Sequence, residues 1–396
     1  MDAIEELLTR GVENIIPDRE KLRDKLASGK KLNIYLGIDP TATTIHIGHA
    51  VPLRKLNAFA QLGHHVTFLI GDFTALIGDT SDKDSERPVL TSEQIHANFQ
   101  TYKEQAKKVL DFSKVKVRFN SEWLKKLKFA DIVKLCQHFS AGDFVGRELI
   151  KKRLAEGKKV GLHELLYPVM QGYDSYFMDT DIQLGGTDQT FNMQAGRVLQ
   201  KDLRHKESFI IANGFLEGTD GRKMSKTWGN AIWLTDEPND MFGKVMSLRD
   251  ELIVQYFTLA TNASMEEIEH VKKRLTAKEN PMTLKIELAH RMVTELHNKA
   301  FADTAQKDFG VRFQKGDLTQ ASLPTISLPP TLSSGATIVD ALMEGNMVVS
   351  KTEAKQLVKQ KAVKHNDILV TTPSQILKFK PGDIIQVGRK AVKIKK

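Results

Sequence analysis

Short apolar runs that stop at turn residues recur through the first half of the chain, separated by stretches with helical spacing. LNIYLGI (Leu32–Ile38) ends at Asp39-Pro40, and helical patterning follows from about Gly48 to Leu62. HHVTFLIGD (His64–Asp72) is a second run, KVKVRFN (Lys114–Asn120) alternates as a third, and SFIIANGF (Ser208–Phe215) comes later. Strands alternating with helices predict an α/β domain, a parallel sheet covered by helices on both faces. Ligands in such folds bind beyond the carboxyl ends of the strands. Ahead of the first strand, residues 1–30 read as helical, with Ile4, Leu7, Leu8, Leu22 and Leu26 at helix spacing.

The rest of the chain differs. Glu237 to Phe313 is nearly all helical in pattern. DLTQASLPTISLPPTLSSG (Asp317–Gly335) is rich in proline, serine and threonine and reads as a linker. The last segment opens with a short helix, TIVDALMEG. A second, SKTEAKQLVKQKAV, follows, with Ser350 and Glu353 spaced as a capping box. Two short strands, around VKHNDILVT and DIIQVGRKAVKIK, complete it. The expected organisation is therefore 1–236 α/β, 237–316 helical, 317–335 linker and 336–396 a small basic α+β domain.

Charge locates the partner. The chain carries a net +9, and from Ala336 onward twelve Lys and Arg face five Asp and Glu. A folded basic module points to a polyanion, most simply nucleic acid, against the plainer reading of a solvated lysine-rich surface. Cys136 is the single cysteine, which excludes a disulfide framework and a cysteine-rich zinc site. It lies in an amphipathic stretch that suits a core position. No apolar run reaches membrane-spanning length, and the acidic start MDAIEELLTR lacks the features of a signal or transit peptide. The expectation is a cytoplasmic protein with no membrane partner.

Two constellations bear on phosphate chemistry. TTIHIGHA (Thr43–Ala50) follows the first strand, and its histidines, His46 and His49, admit three readings: a metal site, core packing, or a phosphate loop. No cysteine or acid triad completes a metal shell nearby, so no metal ligand is assigned. Flanking Gly and Thr favour an open loop. A helix starting near Ile47 would offer free N–H groups to an anion, with imidazole donors beside them. Gly48 would let a base or ribose approach the backbone, and Pro52 would fall in the first helical turns. Far along the chain, DGRKMSKTWGN (Asp220–Asn230) sets Lys223 and Lys226 between glycines. Such a loop closes over polyphosphate, or is simply a solvated basic loop.

HIGH (His46–His49) early and KMSKT (Lys223–Thr227) late resemble the paired signatures of class I aminoacyl-tRNA synthetases. Thr227 stands where that family usually has serine. A third constellation, LHELLYPVMQGYDSYF (Leu162–Phe177), puts Tyr167, Gln171 and Asp174 on one helical face among apolar neighbours. Read alone, it is a pocket lining or an internally satisfied polar network. Beside the two signatures it resembles the substrate helix of tyrosyl-tRNA synthetases. YLGIDPT (Tyr35–Thr41), ALIGDTS (Ala75–Ser81) and LGGTDQTFN (Leu184–Asn192) extend the likeness along the chain.

That resemblance implies a Rossmann-like catalytic domain that activates L-tyrosine with ATP and then charges tRNA(Tyr). Tyr35 and Asp174 would bind the phenol hydroxyl, and Asp79, Tyr167 and Gln171 the α-ammonium. Gln189 would lie near the carboxylate, and Gly186 and Asp188 near the ribose. His46 and His49, with Lys223 and Lys226, would handle the phosphates; Asp39 and Gly48 join the ATP set. ATP with Mg²⁺ would be substrate, with no tightly bound cofactor. A homodimer is the family expectation. Leu36 and Pro52 depart from residues that some members place near the ribose. The final module resembles a small RNA-binding fold, with Lys361 where that fold usually has glycine. A tryptophanyl-tRNA synthetase, a cofactor-making nucleotidyltransferase and a catalytically dead RNA-binding protein are the rivals. Tyr35 with the Tyr167–Asp174 face, the basic module and the intact signatures argue against each in turn.

Overall fold

A computed structural model of the chain describes residues 2–41, 43–78, 91–225, 228–311, 323, 325–327, 335–388 and 390–395. It divides into two compact units, Met1–Asp303 and Thr304–Lys396.

The first unit is built on a six-stranded sheet. Its strands are β1 (Val12–Ile16), β2 (Asn33–Ile38), β3 (His65–Ile70), β4 (Val115–Phe119), β5 (Ile182–Gly186) and β6 (Phe209–Asn213), in the order β1-β6-β5-β2-β3-β4. Strands β2 to β6 are parallel, as the alternation predicts. Strand β1 is not: it pairs antiparallel with β6, Ile15 opposite Ile211. The helical reading of residues 1–30 is corrected here. Leu7 and Leu8 bury one side of helix α1 (Ala3–Thr9), and Leu22 and Leu26 one side of α2 (Arg19–Ala27). The residues between them extend along the sheet edge. Gly11, at φ +62°, starts the departure in a conformation that side chains resist.

Chain order reverses between β2 and β5, so their carboxyl ends frame the topological switch point. Helix α3 (Ile47–Gln61) leaves the β2 end and buries Leu53, Leu56 and Phe59 completely. Pro52 is its sixth residue, within the first two turns as expected, and its missing N–H leaves the Gly48 carbonyl without its intrahelical donor. The helix Leu162–Phe177 runs into β5 and packs on the helix Thr190–Arg204 that follows that strand. After residue 237 come helices Pro238–Met246, Ile253–Ala260, Met265–Thr276, Pro281–Leu296 and Lys299–Phe309, in keeping with the helical pattern. Starts are fixed locally, for example by Ser264 and Glu267 capping each other's backbone.

The second unit holds a five-stranded sheet, including Val363–His365, Ile368–Leu369, Ile384–Val387 and Lys390–Lys395. Each of the two strands expected from sequence is thus a hairpin. The segment read as a linker contributes the remaining strand, Thr325–Ser327, parallel to Lys390–Lys395. Helices Ile338–Glu344 and Lys351–Lys359 close a core around Ile338, Leu342, Ala354, Val358 and Ile385. Ser350 caps the second helix as expected, but Glu353 reaches back to Val349 N–H instead of Ser350. Among the described residues no helix is long and apolar enough to cross a membrane.

Candidate active site

The floor of the site is a buried polar chain at the carboxyl end of the sheet. Asp174, 2% exposed, accepts from Trp123 Nε1 at 2.7 Å and Asn120 Nδ2 at 3.1 Å. Asn120 also donates to Thr74 Oγ1 (3.0 Å), Thr74 donates to Asp39 Oδ1 (2.8 Å), and Tyr167 donates to Asp39 Oδ2 (2.9 Å). One network therefore joins Asp174, Asp39 and Tyr167. Burial pushes the Asp174 carboxyl up to about 8, with Asp39 and Asp72 adding repulsion; the Trp123 and Asn120 donors oppose this. Gly71 leaves room for the chain, since a Cβ there would stand 1.9 Å from Asp39 Oδ1 and 2.3 Å from Thr74 Oγ1.

Tyr35, on β2, is buried and donates its hydroxyl to Gln183 Oε1 at 3.1 Å. Gln183 in turn donates to the Met193 carbonyl. Burial, and then the charge of Asp174, raise the Tyr35 phenol well above its ordinary range. Gln171 lies half-buried one turn along from Tyr167. Gly186 ends β5, and Asp188 and Gln189 follow in a tight 3₁₀ turn. A Cβ on Gly186 would meet Asp188 Oδ1 at 2.4 Å, so glycine is what lets the carboxylate fold back over the strand end.

The histidine turn caps α3. His49 Nδ1 accepts from the His46 backbone N–H at 3.2 Å, which leaves Nε2–H of the exposed His49 ring as its outward donor. The two rings lie 3.7 Å apart. Burial, aided by His49 and Lys223, pulls His46 down to about 3, so its imidazole is neutral at physiological pH. Its Nδ1 is buried with no hydrogen-bond partner among the described residues. A Cβ on Gly48 would press to 2.9 Å from that Nδ1, so the glycine makes room for His46. The lysine loop lies alongside. Met224 Sδ would be 3.6 Å from the same Cβ, and Asn230 pins the loop through Asp220, Ser225 N–H and the Lys223 carbonyl. Asp79, Lys226 and Thr227 lie outside the described residues.

The fold thus brings together Tyr35, Asp39, Tyr167 and Asp174 at one end of the sheet, and His46, Gly48, His49 and Lys223 beside them. Sequence reasoning missed Thr74, Asn120, Trp123 and Gln183. Gln183 alone had a signal, an amide within an apolar strand. Among the described residues, no group of three or more His, Cys, Asp or Glu is arranged to hold a metal ion.

Comparison with known proteins agrees with this architecture. The family model for class I tRNA synthetases (W and Y) matches residues 27–314. The chain is 44% identical to "Tyrosine--tRNA ligase 2" of Pseudoalteromonas translucida, over 97% of this chain and 96% of that protein. It is 42% identical to the tyrosine–tRNA ligase of Carboxydothermus hydrogenoformans, over 97% and 95%. Its fold is similar to a truncated Aspergillus nidulans mitochondrial tyrosyl-tRNA synthetase (TM-score 0.65, 22% identity, 78% of this chain and 94% of that one). An Archaeoglobus fulgidus tyrosyl-tRNA synthetase complexed with L-tyrosine gives 0.61 at 21% identity, covering 77% and 100%. With this coverage and this site, the chain belongs to the tyrosine–tRNA ligases of the class I tRNA synthetase family.

Proposed function

We propose that the site forms tyrosyl-adenylate from L-tyrosine and ATP and then passes the tyrosyl group to the 3′ end of tRNA(Tyr). The single observation that carries the assignment of roles is the buried network from Asp174 through Asn120 and Thr74 to Asp39 and Tyr167. Its two ends suit the two ends of tyrosine. Asp174 and Tyr35 offer an acceptor and a hydroxyl to the phenol. Tyr167 and Gln171, with Asp79, offer oxygens to the α-ammonium, and Asp39, expected with the ATP set, is added to this end because it accepts from Tyr167. Gln189 faces the carboxylate side, and Gly186 and Asp188 the ribose.

In the first step the tyrosine carboxylate attacks the α-phosphorus of ATP and pyrophosphate leaves. No side chain need become a covalent nucleophile. Neutral His46, the Nε2–H of His49, Lys223 and Lys226 stabilise charge on the five-coordinate phosphorus and the leaving pyrophosphate. Mg²⁺ arrives with ATP, held by phosphate oxygens and water.

The partners follow from surfaces. Lys351, Lys355 and Lys359 recur every four residues on the exposed side of their helix, a stripe suited to an RNA backbone. The helices from Pro238 to Phe309 are assigned to the anticodon end. A homodimer is proposed on the family expectation. A cytoplasmic location is proposed, as expected from sequence.

The test separates the two steps. Lys355→Glu with Lys359→Glu leaves tyrosine-dependent ATP–pyrophosphate exchange unchanged and lowers tRNA charging, with a shallower salt dependence. Unchanged charging at physiological salt would remove the RNA role from this helix.

A further inference from the structure

We infer that Asp236 is a positioning residue for adenylate formation, holding the segment that in turn holds His46. The inference rests on the role proposed for His46.

His46 is clasped through its neighbours. Ile47 N–H donates to the Ile232 carbonyl at 2.9 Å, and Leu234 N–H donates to the Ile45 carbonyl at 3.1 Å. This makes an antiparallel bridge with His46 opposite Trp233, whose indole meets the imidazole edge-on at 5.7 Å. The backbone of residues 232–234 therefore sets where His46 stands, and Trp233 sets one wall against its ring.

That segment is itself fixed by one carboxylate. Asp236 Oδ2 accepts from Trp233 N–H at 2.8 Å, and Asp236 N–H donates to the Trp233 carbonyl at 3.1 Å, closing a tight turn. Lys244, on helix Pro238–Met246, reaches both carboxylate oxygens at 2.6 Å. His297, just past helix Pro281–Leu296, donates Nε2–H to the Asp236 carbonyl at 3.1 Å. The Asp236 side chain is 11% exposed, so these contacts are largely shielded from water. Lys108 adds a hold on the Leu234 carbonyl at 2.6 Å. Asp236 is thus the point where two helices of the helical segment grip the strip that carries His46. It reaches the reacting phosphate only through that histidine.

The geometry needed at a transition state is narrow, and a small displacement of His46 lowers turnover more than substrate binding. The test is a double-mutant cycle in ATP–pyrophosphate exchange on the full chain. Asp236→Asn keeps the shape but gives up the charge that holds Lys244. We expect kcat to fall about tenfold, with KM for ATP and tyrosine within about twofold. Asp236→Glu should recover part of the loss. Combined with His46→Asn, Asp236→Asn should cost nothing further, because the group through which it acts is gone. The same tenfold loss in both backgrounds, or full kcat in folded Asp236→Asn, would overturn the inference. If His46→Asn alone leaves kcat unchanged, the His46 assignment fails and takes the inference with it. Should Asp236→Asn not fold, Lys244→Met is read in the same cycle, with the same non-additivity expected.

Discussion

The indole N–H of Trp123 donates to Asp174 Oδ1 at 2.7 Å, and the Trp123 ring stacks on Phe177 at 4.6 Å. The donor aims the carboxylate while the ring packs behind it. Trp123→Phe keeps the stack and deletes the donor. At pH 9, above the value near which Asp174 titrates, this hydrogen bond goes to a charged group and contributes about 1.5–3 kcal/mol. We expect kcat/KM for tyrosine in pyrophosphate exchange to fall by about ten- to a hundredfold, with KM for ATP nearly constant. An unchanged tyrosine kcat/KM would show that the carboxylate needs no such anchor.

Asp174 has a cost in stability that follows from its raised pKa. Its carboxyl titrates near 8 in the fold, against 3.8 as an ordinary aspartate. Below both values each state holds the proton and pH has no effect through this group. Between them the folded state holds a proton that the unfolded chain has lost, so stability falls as pH rises from about 4 to 8. Asp174→Asn removes this dependence. Thermal melts should therefore favour the asparagine variant at pH 9 and show a smaller gain at pH 5. A variant less stable than the parent at pH 9 would contradict the burial argument.

Gly71 tests the other end of the network. Alanine there would drive a methyl into Asp39 Oδ1 and Thr74 Oγ1, both far inside contact distance. The carboxylate that meets Tyr167 must then move. Gly71→Ala should raise KM for tyrosine at least about tenfold, in keeping with the loss of a positioned charged partner. Binding of tyrosine by calorimetry gives the readout, and undiminished affinity would exclude Asp39 from the ammonium site.

In the second unit Lys361 has φ +58°, just after the helix Lys351–Lys359, and donates its N–H to the Val358 carbonyl at 3.0 Å. Glycine is the usual residue at such a helix end, because a side chain in this conformation is strained by about 1 kcal/mol. Lys361→Gly should raise the melting temperature of a transition assigned to this unit. A lower one would mean that unfolded-state entropy outweighs the strain relieved.

What could be read from the sequence and what could not divides along physical lines. Four of the five parallel strands were legible, β2, β3 and β6 as apolar runs and β4 by its alternation, and the helix Leu162–Phe177 because Tyr167, Gln171 and Asp174 recur at helical spacing; β5 was not, because IQLGG is short and carries a glutamine and two glycines. β1 was hidden: VENII is only partly buried at a sheet edge, so its pattern is weak between two amphipathic helices. The strand Thr325–Ser327 was hidden likewise, three residues among prolines that mark a linker. Asn120 and Trp123 act on Asp174 from more than fifty positions away. Such partners have no local signature, because only the fold brings them together.

The central claim is that Asp174, held by Trp123 and Asn120, reads the phenol hydroxyl. Leaving that buried pair of groups unmet costs a ligand without the hydroxyl dearly. The most direct measurement is the ratio of kcat/KM for tyrosine over phenylalanine in ATP–pyrophosphate exchange, in the parent and in Asp174→Asn. The account predicts exchange with tyrosine and almost none with phenylalanine in the parent, and a ratio at least about a hundredfold smaller in the variant. A variant that discriminates as well as the parent would contradict it.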